Sequence, residues 1–183
     1  MRAAEIADQL TEVLVTEEEI RAKLDELARR VEADYEGKEL LLVGVLKGAV
    51  MVMADFARAL KRDVEMDWMA VSSYGAGTKS SGVVQIRKDL DTDISGKHVL
   101  IVEDIIDSGL TLSWLLENFA LRGAASIEVL ALLRKPEAAK VEIDSRYVGF
   151  DIPVEFVVGY GLDFAEKYRN LRDVAVLAPH VYS

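Results

Sequence analysis

The chain has no cysteine. Disulfides, thiolate metal ligands and a thiol nucleophile are therefore excluded. It has two histidines, His98 and His180, too few for a histidine metal cluster. No apolar run approaches the ~18 residues of a membrane-spanning helix. No charged segment followed by an apolar stretch opens the chain. These absences predict a soluble, cytoplasmic protein with no membrane partner. Basic residues are also outnumbered: 22 Lys and Arg against 32 Asp and Glu give a net charge of −10. That balance argues against nucleic acid as a partner. An acidic protein that binds a polyanion needs a divalent cation and a few well-placed basic side chains. Internal repeats, low-complexity tracts and interdomain linkers are lacking too. What remains is 183 residues, 51% of them apolar: enough for one domain with a proper core.

The most informative stretch is residues 98–112, HVLIVEDIIDSGLTL. Val99 to Val102 is an unbroken apolar run, suited to a strand buried on both faces of a parallel sheet. Glu103 and Asp104 follow, at the strand end where open α/β sheets bind ligands. Asp107, Ser108 and Gly109 form a short turn, and a helical pattern starts at Leu110. Ser108, Gly109 and Thr111 can aim backbone N–H groups at a phosphate, aided by the helix dipole. The adjacent carboxylates suit a vicinal diol. Together they point to a sugar phosphate. The alternative is a capped helix after a core strand, with the acids merely solvated.

The rest of the chain alternates in the same manner. Thr16 and Glu19 form a capping box for a helix whose buried face is Ile20, Leu24, Leu27, Ala28 and Val31. Leu40–Leu46 is a second buried strand, running into Lys47, Gly48 and a helix from Ala49 to Leu60. A strand-end lysine followed by glycine offers a cation and an N–H to an anion. Val64–Val71 alternates, with Val64, Met66, Trp68 and Ala70 on one face. Val83–Arg87 pairs with it across the loop at 72–82. That loop, small, polar and glycine-rich, is predicted to be a lid. A helix from Thr111 to about Leu121 and a strand from Ser126 to Leu133 complete the core. Val148–Phe150, Phe156–Tyr160 and Val174–Leu177 are short strands. The expected fold is α/β: an open, mostly parallel, twisted sheet flanked by helices, with a small cap (hood). It forms a single domain over 1–183, with the core at about 37–133 and the hood at about 1–15 and 134–183.

VLIVEDIIDSGLTL resembles the signature of the type I phosphoribosyltransferases. VLKGA at 45–49, SSYG at 72–75, LLRKP at 132–136, and YVGFDIP with FVVGYGLD between Tyr147 and Asp163 extend the likeness to the hypoxanthine-guanine phosphoribosyltransferase family of bacteria. The resemblance implies transfer of a 5-phosphoribosyl group from phosphoribosyl pyrophosphate to N9 of a 6-oxopurine, with Mg²⁺ required. It implies a homodimer or homotetramer as well. By the same resemblance, Glu103 and Asp104 hold the ribose hydroxyls, directly or through Mg²⁺. Asp107 acts in proton transfer near N7. Ser108, Gly109, Leu110 and Thr111 cradle the 5′-phosphate, with Ser108 where many relatives have Thr. Lys47, Gly48 and Arg169 contact pyrophosphate, and Leu46–Lys47 is a candidate cis peptide. Ser73 and Tyr74 belong to the lid. Lys135 donates to the purine 6-oxo group, Phe156 stacks on the ring and the Val157 backbone reads its edge. Asp163 lies at the purine slot and joins Glu103 and Asp104 in holding the metal. A phosphoribosyltransferase for xanthine or a pyrimidine, and a non-catalytic regulator on the same fold, are the competing readings. Intact Lys47 and Asp107 weigh against the regulator.

Overall fold

A computed structural model describes residues 1–73 and 84–182. Its main feature is a six-stranded sheet. Strands β2 (Leu40–Leu46), β3 (Glu65–Ser73), β5 (His98–Ile106), β6 (Ser126–Arg134) and β7 (Tyr147–Asp151) run parallel, and β4 (Val84–Lys88) is antiparallel to β3. The spatial order is β4-β3-β2-β5-β6-β7. Parallel neighbours need crossover connections. Helix α2 (Val50–Ala59) provides one between β2 and β3, and α3 (Leu110–Leu121) another between β5 and β6.

Helices cover both faces, which explains the unbroken apolar runs. Leu40, Leu42, Leu100 and Val102 pack with α2 and with α1 (Glu17–Asp34). Leu41, Val43, Val99 and Ile101 pack on the other face with Leu112, Leu115 and Phe119 of α3. Each such side chain contributes about 1.5–3 kcal/mol when fully buried. Helix α1 starts as its capping box requires. Thr16 Oγ1 accepts the Glu19 amide at 3.3 Å, and Glu19 Oε2 accepts the Thr16 amide at 2.9 Å. Its buried residues are the predicted Ile20, Leu24, Leu27, Ala28 and Val31.

The faces of β3 differ from the alternation read in the sequence. Asp67 and Met69 are buried, whereas Met66 is exposed. The more deeply buried face of β3 is therefore that of Asp67 and Met69, opposite to the face the apolar alternation suggests. Asp67 is buried because its carboxylate accepts the amides of Trp68 (2.7 Å), Asp91 (2.9 Å) and Thr92 (2.8 Å), which replace water.

A second sheet has three strands in the order β1-β9-β8. They are β1 (Leu10–Val15), β8 (Val157–Val158) and β9 (Val174–Leu177), all antiparallel. A 3-10 segment, Ala3–Gln9, precedes β1. Thus residues 1–14, weakly patterned in sequence, supply a strand of the hood. Strand β7 belongs to the large sheet, and beyond it the chain supplies β8 and β9 of the second sheet. The hood is tied to the core by side chains: Tyr160 Oη donates to Asp55 of α2 at 2.6 Å, and Asp173 Oδ1 accepts the Glu17 amide of α1 at 3.0 Å.

Candidate active site

Three groups of residues converge at the C-terminal ends of β2, β5 and β6. The first surrounds the loop after β5. Glu103 and Asp104 are consecutive on a strand, so their side chains leave opposite faces of the sheet. Glu103 lies with α3 and the loop, lining a pocket of about 120 Å³ with Asp107, Ser108, Gly109 and Thr111. That is the volume of about four waters, enough for a phosphate. The N-terminus of the twelve-residue α3 opens on it. Gly109 has φ +78°, and a Cβ there would stand 2.5 Å from the Val141 carbonyl oxygen. Only glycine suits both demands. The Ser108 carbonyl accepts the amides of Lys140 (3.0 Å) and Val141 (3.2 Å), which hold the loop in place.

The second group lies on the Asp104 face. The Leu46–Lys47 peptide is cis. The next residue, Gly48, packs directly on Asp104: a Cβ there would fall 1.8 Å from Asp104 Oδ2. Gly161 of the hood, at φ +103°, sits on Gly48 in turn, its would-be Cβ 2.0 Å from the Gly48 carbonyl oxygen. Arg169 donates from Nη1 to the Gly161 carbonyl at 2.8 Å and pairs through Nη2 with Asp163 Oδ1 at 2.8 Å. Glu166 Oε2 lies 3.0 Å from Lys47 Nζ and 3.3 Å from Arg169 Nη2.

The third group is the neighbourhood of Asp107. Lys135 follows β6, its amide donating to the Ile106 carbonyl at 2.9 Å. Its buried Nζ lies 3.2 Å from Asp107 Oδ2. Apart from that pair, in the segment leading into β8, Phe156 is 43% exposed and packs against Phe164 (centroids 5.9 Å) and Tyr182 (5.2 Å). Val157 is buried in β8, in register with Val176.

Burial drives the electrostatics of the acid pair. Desolvation, then the neighbouring Asp104 charge, push the Glu103 carboxyl well above its usual range. Desolvation also raises Asp104, to about 6, while the Ile105 amide and the Arg169 guanidinium oppose it. A carboxyl kept this far from water gains most from a cation or a hydrogen-bonding hydroxyl placed against it.

Among the described residues no three His, Cys, Asp or Glu side chains form a metal-binding group. Glu103 faces the phosphate loop, away from Asp104. Asp163 stands with Arg169 near enough to Asp104 to raise its pKa. Two carboxylates completed by substrate oxygens suit Mg²⁺, which keeps waters and phosphate ligands and needs no protein cage. Glu103, Asp104 and Asp163 are carboxylates of the kind such an ion takes. Of the residues expected to form a lid, Ser73 ends β3, and Tyr74 and residues 75–82 lie outside the described residues.

Sequence reasoning missed Glu166, Phe164 and Tyr182. Ala165 and Glu166 form a turn with both φ positive, at 50° and 64°. Neither is the glycine or asparagine that normally signals such a turn.

A small-residue loop at a helix start, buried acids at the end of the preceding strand and the cations Lys47 and Arg169 suit transfer of a sugar phosphate. The chain belongs to the phosphoribosyl transferase family, whose domain matches residues 11–165. Among individual relatives, it is 54% identical to the hypoxanthine-guanine phosphoribosyltransferase of Mycobacterium avium over 176 residues, covering 93% of this chain and 87% of that protein. The Bacillus subtilis protein of that name is 52% identical over 173 residues, covering 94% and 96%. A hypoxanthine phosphoribosyltransferase from Staphylococcus aureus superposes with a TM-score of 0.94 at 47% identity, covering 98% of this chain and 97% of the other.

Proposed function

We propose that this protein is a purine-salvage transferase, moving 5-phosphoribosyl from phosphoribosyl pyrophosphate to N9 of hypoxanthine or guanine. IMP or GMP and pyrophosphate are the products. The observation that carries the choice of base is the Lys135–Asp107 pair, 3.2 Å apart. A 6-oxopurine presents two neighbouring polar atoms on one edge, O6 and N7. An ammonium beside a carboxylate matches O6 and a protonated N7. Lys135 donates to O6. Asp107 takes the N7 proton as N9 bonds to C1 of the ribose. The C1–O bond breaks and its electron pair leaves with pyrophosphate. Phe156 offers its exposed ring face to the base, and Val157 offers its backbone to the purine edge.

The remaining groups bind and orient the donor. Ser108, Gly109, Leu110 and Thr111 hold the 5′-phosphate at the start of α3. Glu103 and Asp104, at the end of β5, hold the ribose hydroxyls, directly or through Mg²⁺. Lys47, the Gly48 backbone and Arg169 neutralise charge on the departing pyrophosphate. Glu103, Asp104 and Asp163 are the residues that would hold Mg²⁺, which would supply further positive charge beside the leaving group. The same reading has the enzyme cytoplasmic and assembled as a homodimer or homotetramer.

The test is pyrophosphate release from phosphoribosyl pyrophosphate and Mg²⁺ with hypoxanthine, guanine, xanthine or uracil supplied singly. Turnover with hypoxanthine and guanine is expected. Turnover with uracil alone would replace the purine assignment, and no turnover with any base would remove the enzyme reading.

A further inference from the structure

Among the described residues, Glu166 pairs with both cations assigned to pyrophosphate. A single oxygen, Oε2, lies 3.0 Å from Lys47 Nζ and 3.3 Å from Arg169 Nη2. Lys47 follows β2 and Arg169 belongs to the hood, so the carboxylate bridges two separate parts of the fold. A single anionic oxygen between an ammonium and a guanidinium is also what a phosphate oxygen would present there. We infer that Glu166 is an internal counter-anion, occupying Lys47 and Arg169 until the phosphates of the substrate replace it. The inference rests on the assignment of those cations to pyrophosphate.

The backbone places Glu166 for this contact. Phe164 and Lys167 exchange amide–carbonyl hydrogen bonds at 3.2 and 3.0 Å, closing a two-residue turn over Ala165 and Glu166. Both turn residues have positive φ, a conformation for which glycine or asparagine is the usual choice. Asp163 Oδ2 accepts the Glu166 amide at 2.9 Å and fixes the turn further. Glycine at 166 would suit the backbone better but would carry no carboxylate. The Glu166 carboxylate faces the Lys47 ammonium and the Arg169 guanidinium together.

Exposure decides whether this contact locks the site or yields to a ligand. The Glu166 and Lys47 side chains are 64% and 66% exposed. Exposed ion pairs are weak and exchange readily. A bound pyrophosphate carries more charge than one carboxylate and wins the exchange. Arg169 keeps its place when Glu166 leaves, because it is also held by the Gly161 carbonyl and by Asp163, each at 2.8 Å. The displaced carboxylate then repels the bound anion from nearby. As pyrophosphate departs, Glu166 returns to the cations and opposes rebinding. Weaker hold on the product favours release, a step that limits many enzymes.

The experiment is calorimetric titration of inorganic pyrophosphate with Mg²⁺ into the wild-type protein, Glu166→Gln and Lys47→Ala. It is accompanied by the KM for phosphoribosyl pyrophosphate in the wild type and Glu166→Gln. Glutamine keeps the shape and removes the charge at an exposed position, and an unchanged melting temperature will show that the fold is retained. The account expects Glu166→Gln to bind pyrophosphate roughly two- to fivefold more tightly, with a lower KM. Lys47→Ala should bind it more weakly. Equal or weaker binding by Glu166→Gln, with Lys47→Ala still weakened, would overturn the counter-anion and leave the pyrophosphate site standing. Unchanged binding by Lys47→Ala would overturn the site assignment itself.

Discussion

Lys135 Nζ stands 3.2 Å from Asp107 Oδ2, with the lysine buried and the Asp107 side chain 56% exposed. The two residues come from the ends of adjacent parallel strands, β6 and β5. The Lys135 amide bonded to the Ile106 carbonyl sets their spacing. A donor that is held and an acceptor that stays open to a ligand are what reading O6 and accepting a proton from N7 require.

Asp107→Asn removes the proton acceptor and keeps the size of the side chain. Turnover should fall by about 10²–10⁴-fold, the usual worth of a positioned general base. Affinity for phosphoribosyl pyrophosphate should be nearly unchanged, because its phosphate loop and cations remain. Steady-state kinetics beside calorimetric binding separate the two quantities. Equal losses in both would make Asp107 a binding residue.

Asp104→Asn removes one of the carboxylates that would hold the metal. The Mg²⁺ concentration giving half-maximal binding of phosphoribosyl pyrophosphate should rise about tenfold, equivalent to ~1.4 kcal/mol. A Mg²⁺ titration followed by calorimetry measures it. An unchanged requirement would move the ion away from Asp104.

Gly161→Ala brings a methyl group to within 2.0 Å of the Gly48 carbonyl oxygen at a φ of +103°. The strain should cost about 1–3 kcal/mol of stability. The Gly48 loop should shift with it, raising the KM for phosphoribosyl pyrophosphate. Thermal unfolding and kinetics report the two effects. A variant with wild-type values for both would show that the hood does not position Gly48.

Asp67 tests the core at a distance from the chemistry. Burial would raise its pKa, but the amides of Thr92, Trp68 and Asp91 outweigh burial and hold it below the usual 3.8. A depressed carboxyl contributes stability above its unfolded pKa and loses it as pH falls through the folded value. Asp67→Asn should therefore cost about 1–3 kcal/mol at pH 7. That gap from wild type should shrink as the pH is lowered below about 4. Urea unfolding at several pH values measures it, and a gap independent of pH would contradict the assignment.

The parallel core was legible because β2, β5 and β6 are covered on both faces and so appear as apolar runs. Thr16 and Glu19 marked the start of α1 because capping chemistry is local. The phase of β3 was not legible: Asp67 is buried by amides from residues 91 and 92, distant in sequence. Strand β1 was hidden because most of its residues are not fully buried and its partner, β9, lies at the other end of the chain. The strand, turn and helix start at residues 98–112 could be read because they form one continuous stretch. The purine and pyrophosphate groups could not be assembled from spacing alone. Lys135 meets Asp107 through strand pairing, and Glu166 meets Lys47 across 119 positions of sequence.

The central claim is that the site reads a carbonyl at position 6 of a purine. Comparing kcat/KM for hypoxanthine and adenine with the same protein, phosphoribosyl pyrophosphate and Mg²⁺ tests it most directly, since the bases differ there by carbonyl against amine. The Lys135 ammonium can donate to the carbonyl and has no acceptor to offer an amine. The account predicts efficient turnover of hypoxanthine and at least about 10²-fold less of adenine, as for a buried charged donor left unpaired. Comparable turnover of the two bases would contradict it.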